Sequence, residues 1–209
     1  MSPEEFQSAS NVSRETMDRL KVYAGLLIKW QKAINLVGKN TLPDLWQRHM
    51  MDSAQLFGIA REIVEGRGPE SRSLADSVWL DLGSGAGFPG LVLAIMGVGQ
   101  VHLVESDARK CTFLHEVARV IHTCRIEKLQ DKAGQPGQVD FISARALAKT
   151  DQLLSWSVPF RSQNTVCLFP KGQDVDLELE NLLEFDNSVI KKWPSRTHSE
   201  SVVLQISSP

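Results

Sequence analysis

The feature that most constrains this chain is the ten-residue segment DLGSGAGFPG, residues 81–90. It follows the short apolar run Val78-Trp79-Leu80 and precedes a second apolar stretch, LVLAI. Gly83, Gly85 and Gly87 alternate with small residues at the point where a strand hands over to a helix. Glycines there let the backbone turn sharply and approach a ligand with no Cβ in the way. The following helix presents unpaired N–H groups and the positive end of its dipole. A strand, a glycine turn and a helix in that order predict a βα unit with a ligand at the carboxyl end of the strand.

The rest of the chain supports such a sheet. Val101–Val104, VDFIS (139–143), TVCLF (165–169) and VVLQI (202–206) are further short apolar runs, and Ala108–Ala118 has a helical pattern. Strand-like runs alternating with helices predict a doubly wound α/β sheet, and wholly apolar runs suit strands covered on both faces. Upstream the pattern is helical. Met17, Leu20, Ala24, Leu27, Trp30 and Ile34 recur at helical spacing behind Ser13, a candidate N-cap. A second stripe from Leu45 to Ile63 follows Pro43 near a helix start. Residues 1–64 therefore read as a helical N-terminal extension and 65–209 as the ligand-binding domain. The polar segment GRGPESRSLAD (66–76) lies between them as a linker or loop.

Composition sets limits. No run of eighteen apolar residues is available to span a membrane, and MSPEEFQSAS lacks the apolar core of a secretory signal. Cys111, Cys124 and Cys167 are odd in number and lack CxxC spacing, as suits reduced thiols in the cytoplasm rather than a disulfide framework or a zinc site, so no metal is expected. The net charge is −2, so charge alone does not mark a nucleic-acid binder. Residues 1–50 carry seven Lys/Arg against five Asp/Glu, and residues 171–209 four against seven. This mild bias is read as a solvated face.

A glycine loop alone does not separate nicotinamide from S-adenosylmethionine. Asp81 stands two residues before the first glycine, as in the acid-xGxGxG pattern of methyltransferases, and the strand follows an extension instead of opening the chain. Glu105 ends the next strand, twenty-two residues past Gly83, where a carboxylate can accept both ribose hydroxyls. That last feature is shared with nicotinamide proteins. A nicotinamide-dependent oxidoreductase, a nucleotide-binding module without catalysis, and a methyltransferase for a small molecule or another RNA position all remain open on these residues.

DLGSGAGFPG, with Pro89-Gly90 directly after the loop, resembles the RsmG (GidB) family of 16S ribosomal RNA guanine-N7 methyltransferases. Six further segments are similar to the family in the same order: Trp30 with Asn35-Leu36; Arg48-His49 with Asp52-Ser53; Glu105-Ser106 with Arg109-Lys110 and Phe113-Leu114; Arg125-Ile126-Glu127; Ser143-Ala144-Arg145-Ala146; and Lys171-Gly172. The resemblance implies a Rossmann-like methyltransferase domain behind the helical extension. It implies S-adenosyl-L-methionine held at Asp81, Gly83, Ser84, Gly85, Gly87, Phe88, Glu105, Ser106, Ile126, Glu127 and Arg145. It also implies transfer to N7 of a guanine in the 530 loop of 16S rRNA, as free rRNA or as a small ribosomal subunit precursor. Arg48, His49 and Arg145 are the candidates for RNA contact.

One departure stands out. After Val117 only ARVIHTC remains before Arg125, with no Gly, Pro or Asn to turn the chain. A helix end, a turn and a strand do not fit easily there, so residues are expected to be missing between Val117 and Arg125, and again between Glu180 and Val203. Among other residues, His49 lies three before Asp52 and reads as one half of a buried His–Asp pair or as a helix-packing residue, set against direct RNA contact. Trp30, Trp46 and Trp79 read as core, and Lys191-Lys192 as an exposed pair. Arg145, at the ligand end of the strand run 139–143, carries a charge whose burial demands a function, and is the candidate for positioning. No nucleophile–base pair and no NPPY-like tetrapeptide is present, which suits an acceptor that has no proton to lose.

Overall fold

The computed structural model describes residues 1–68, 71–121, 125–127, 137, 139–180 and 188–208. Three helical segments come first. Helix α1 (Pro3–Ser10) opens with a capping box in which Ser2 and Glu5 satisfy each other's backbone N–H groups, and α2 (Arg14–Trp30) is capped by the Ser13 side chain, as its sequence predicts. A single π-helical turn, Trp46–Met51, runs directly into α3 (Asp52–Gly66).

The sheet follows. Strand β1 (Val78–Leu82) leads through the glycine loop into α4 (Gly90–Met96). Strand β2 (Gln100–Val104) leads into α5 (Ala108–Ile121), and β3 (Arg125–Glu127) follows. Next come β4 (Phe141–Ala144), α6 (Thr150–Ser157), β5 (Val166–Lys171), α7 (Val175–Glu180), β6 (Val189–Pro194) and β7 (Val202–Ser207). The strand order is β3-β2-β1-β4-β5-β7-β6, in which the first five are parallel and β7 runs antiparallel to both of its neighbours. Order reverses between β1 and β4, and that switch point is where such sheets hold ligands.

Side chains alternate across the sheet with period two. Trp79, Val101, Leu103 and Phe141 pack toward α2, α3, α4 and α5, while Leu80, Leu82, Val104 and Ile142 pack toward α6 and α7. The extension shares the first of these cores: Phe6, Met17, Leu20, Tyr23 and Leu27 are buried with Leu91, Val92 and Phe113. Helix α3 passes the expected boundary at 64 and ends at Gly66. Deep inside, the Tyr23 hydroxyl donates to the Ala86 carbonyl at 2.5 Å and so ties α2 to the glycine loop.

Two intervals read as short in the sequence, and part of each lies outside the described residues. Helix α5 runs on to Ile121 and β3 starts at Arg125 in register with His102, Leu103 and Val104, and residues 122–124 between them lie outside the described residues. Between Glu180 and Val203 the sequence reading passed over β6, because Lys191 and Lys192 interrupt its apolar pattern. An edge strand carries lysines readily. Lys191 and Lys192 are both exposed, as expected, and Lys191 lies over the Trp193 ring at 3.5 Å while Lys192 pairs with Asp176. Cys111 and Cys167 are buried, the Cys111 thiol donates to the Glu105 carbonyl at 3.3 Å, and Cys124 lies outside the described residues.

Tyr23→Phe removes the hydrogen bond from α2 to the Ala86 carbonyl and leaves that buried carbonyl short of this donor. A loss of about 1–2 kcal/mol is expected, seen as a lower urea midpoint at unchanged m-value. An unchanged midpoint would mean that this bond does not hold the extension to the sheet.

Candidate active site

The loop after β1 is shaped from below by Asp81. Its carboxylate has no exposed surface; it accepts the Ser143 hydroxyl from β4 at 2.7 Å and the Gly90 N–H at the start of α4 at 3.2 Å. Ser143 in turn accepts the Trp79 indole N–H at 2.9 Å. A Cβ on Gly90 would meet Leu103 and lie 2.9 Å from the Asp81 carboxylate, so this glycine is required by close approach. Burial pushes the Asp81 carboxyl up to about 6, and the hydrogen bonds from Ser143, Ser84 and Gly90 oppose that rise. Above the carboxylate, Gly83 and Gly85 adopt left-handed φ values of 64° and 56°, a region glycine enters without strain. Ser84 stitches the loop to β2, its N–H donating to Val104 O at 2.8 Å and its Oγ accepting the Val104 N–H at 3.2 Å.

Glu105 closes the loop from the neighbouring strand end. One carboxylate oxygen accepts the Gly85 N–H at 2.8 Å, and the other accepts the N–H groups of Ser106 and Asp107, each at 2.8 Å. A carboxylate has about four lone-pair sites, so acceptor capacity remains toward the open side. That side is a cavity of about 970 Å³ at the carboxyl ends of the parallel strands. Gly83, Ser84, Gly85, Glu105 and Ser106 form its floor, and its walls are largely apolar: Leu36 and Val37 on one side, Leu147, Trp156 and Phe160 on the other. A Cβ on Gly85 would find only Gly83 O, at 3.8 Å, so the space above this residue is clear.

At the far end Arg145 joins the sheet to the extension. Its Nη1 donates to Asp52 at 3.3 Å and to the Arg48 carbonyl at 3.2 Å, and Nη2 donates to His49 Nδ1 at 2.9 Å. The guanidinium lies 5.1 Å from the centre of the Phe88 ring, on which His49 also stacks at 5.0 Å. A guanidinium only donates, so His49 Nδ1 accepts and the proton is assigned to Nε2, which faces Thr41 Oγ1 at 2.7 Å. Thr41 can accept it, because its own hydroxyl donates to Gly38 O at 2.7 Å. Burial, then the charges of Arg145 and Arg48, hold the imidazole far below its ordinary range, at about 4. The ring is neutral at physiological pH, with both nitrogens engaged. Asp52 is fixed on its other oxygen by Thr197 Oγ1 at 2.8 Å and Gln55 Nε2 at 2.9 Å. Lys171, at the end of β5, donates to Ala148 O at 3.0 Å and to Glu178 at 2.7 Å, which steadies the loop that carries Arg145.

The structure gathers Gly83, Ser84, Gly85, Phe88, Glu105, Ser106, His49 and Arg145 around the cavity. Asp81 and Gly87 do not line it. Asp81 is spent on Ser143 and Gly90, and a Cβ on Gly87 would meet Leu91 and the Tyr23 hydroxyl, so both shape the loop from behind. Ile126 and Glu127 stand opposite Leu103 and Val104 on β3. Arg48 contributes its carbonyl. The expected His49–Asp52 pair is not formed; Arg145 stands between them and bonds both. Of the cavity residues that sequence reading missed, Trp156 had a signal: Leu153, Leu154 and Ser157 form the buried stripe of α6, and this tryptophan lies off it, 45% exposed.

A sheet in this order with a reversed seventh strand, a glycine loop after the first strand and a carboxylate after the second defines a Rossmann-like methyltransferase. The methyltransferase domain of METTL16 shares this fold at TM-score 0.58 and 12% identity, over 93% of this chain and 81% of that one. More narrowly, the family model for rRNA small subunit methyltransferase G (GidB) matches residues 16–201, and the chain belongs to that family. It is 48% identical over 212 residues to ribosomal RNA small subunit methyltransferase G of Paramagnetospirillum magneticum, covering 99% of this chain and 95% of the relative. The corresponding protein of Rhodospirillum centenum is 45% identical over 209 residues, covering 97% and 89%.

The neutral His49 has a consequence for stability. Between about 4, its folded value, and 6.5, the ordinary value of an exposed histidine, the unfolded chain takes up a proton that the folded chain refuses. The contribution of this residue is therefore fully present above 6.5 and is lost as pH falls through that window. Relative to His49→Gln, the wild type should gain stability as pH rises from 4 to 6.5 and then level off. Parallel pH curves for the two proteins would contradict a buried neutral imidazole.

Proposed function

We propose that this protein transfers a methyl group from S-adenosyl-L-methionine to N7 of a guanine in the 530 loop of 16S rRNA, acting in the cytoplasm on rRNA or on a small ribosomal subunit precursor. The observation that carries this reading is a nucleoside cradle facing a wall whose one imidazole is neutral and fully engaged. Family membership supports the ribosomal substrate, since the relatives are named for the RNA of the small subunit. Among the described residues no helix is long and apolar enough to cross a membrane, and no cluster of His, Cys, Asp and Glu is arranged to hold a metal ion.

The residues fit the cofactor. Gly83 and Gly85 bring backbone to the cavity floor with clear space above Gly85, Glu105 has acceptor capacity for ribose hydroxyls, and the apolar walls suit an adenine ring. When bound, the cofactor supplies an electrophilic methyl group on a sulfonium. Guanine N7 has a free lone pair in the major-groove edge and no proton to release, so the chain needs no general base. Its work is alignment, which can be worth ~7–11 kcal/mol. Arg145 has five N–H donors and spends only some of them on Asp52, Arg48 and His49, so it can hold the acceptor edge of a guanine. Trp156, 45% exposed, offers a flat surface in the same cavity. Exclusion of water falls to the apolar walls.

S-adenosylmethionine or S-adenosylhomocysteine should raise the melting temperature by mass action on the folded state, and NADH and ATP should do much less. Gly85→Val should abolish that shift while the protein still folds. The valine projects over the cavity floor, and its left-handed φ costs ~1–2 kcal/mol of baseline stability. A larger shift with NADH would overturn the reading.

A further inference from the structure

Beside the main cavity lies a smaller cleft of about 190 Å³ between the turn after α2 and the first residues of α5. Lys110 lines both, so the two open next to one another. Four cations, Lys32, Lys39, Arg109 and Lys110, line the cleft with one acid, Asp107. This concentration of positive charge occurs in a chain whose net charge is −2. Asp107 offsets one of these charges and leaves the cleft cationic. One of its oxygens accepts the backbone N–H groups of Arg109 and Lys110 at 2.8 and 3.3 Å, and the other accepts from the Arg109 guanidinium at 3.3 Å. The Arg109 side chain remains 74% exposed. Among the described residues, Lys32, Lys39 and Lys110 have no carboxylate within 4.0 Å.

The opposite wall of the cleft is held in place by Gln31. Its amide N–H donates to Val37 O at 2.9 Å, while its carbonyl accepts the N–H groups of Leu36 and Val37 at 2.9 and 3.0 Å. That turn places Leu36 and Val37 in the main cavity and Lys32 and Lys39 in the cleft. One rigid turn therefore carries both a cavity wall and a cationic rim. The like charges there repel one another, and a partner carrying regularly spaced negative charge relieves that repulsion.

We infer that this cleft binds the phosphodiester backbone of the substrate RNA next to the nucleotide that enters the cavity. The inference rests on the RNA substrate proposed above and adds to it where the strand lies: across the turn 31–39 and the start of α5, on the side of the cavity away from Trp156. Phosphate contacts position a nucleic acid without reading its sequence. The cleft thus sets how far the strand advances, and the residues around Arg145 meet the base.

The test is equilibrium binding of a fluorescein-labelled RNA hairpin carrying the 530-loop sequence, followed by anisotropy across a potassium chloride series. Each lost contact with a single-stranded phosphate should lower the slope of log K against log salt by ~0.7. Lys32→Ala with Lys39→Ala should therefore flatten it by ~1.4. Lys191→Ala with Lys192→Ala, the same charge change on the far edge strand, should leave it unchanged, and the melting shift given by S-adenosylhomocysteine should persist in the first double variant. An unchanged slope in that variant, an equal loss in both, or loss of the cofactor shift would each overturn the inference. Binding is read without methyl transfer. A protein that binds through the cleft yet methylates elsewhere than N7 fails the proposed function and leaves this inference standing.

Discussion

The arrangement depends first on a carboxylate placed where no water reaches it. Asp81 lies near the end of β1, and its two oxygens bond a hydroxyl from β4 and the first N–H of α4. Burying a charge is costly unless it is hydrogen-bonded, so strand, neighbouring strand and helix must come together before that cost is met. The glycine loop is what lies between these fixed points. Gly90 has no room for a Cβ, and Ser84 bonds β2, so the loop has one path open to it. From that path follow the exposed floor at Gly85 and its bond to Glu105.

Arg145 is the second fixed point. Its guanidinium is divided between a carboxylate and a carbonyl of the extension, a neutral imidazole and the face of Phe88. The π-helical turn brings Arg48 and His49 to it, and Thr197 from the segment before β7 braces Asp52 from behind. Extension, loop and final hairpin therefore meet at one side chain. A guanidinium so constrained is suited to holding an acceptor rather than to moving a proton. His49 has the same character: it is kept neutral beside two arginines and bonded through both nitrogens. An acceptor nitrogen with a free lone pair asks for nothing more.

Much of this was legible in the sequence, for physical reasons. Buried parallel strands are written as apolar runs, which is why β1, β2, β4, β5 and β7 stood out, and the glycines at 83, 85 and 87 mark backbone that no other residue follows easily. Edge strand β6 did not stand out, because an edge tolerates lysines. Single residues misled where partners came from afar. Asp81 looked like a ligand contact because it precedes the glycines, yet its partners are Ser143, sixty-two residues on, and Gly90. His49 and Asp52 looked like a pair because they share a helical face, but Arg145 reaches them from ninety-six and ninety-three residues away. The interval before Arg125 read as short, and residues 122–124 lie outside the described residues.

The central claim is that this site methylates guanine N7 in the small-subunit RNA. Nucleoside mass spectrometry of the 530-loop fragment of 16S rRNA, from cells with and without the gene, tests it most directly. The account predicts 7-methylguanosine in the wild type, its loss on deletion, and its return with the intact gene but not with Gly85→Val. Persistence of 7-methylguanosine after deletion, or disappearance of a methyl group from another atom, would contradict it.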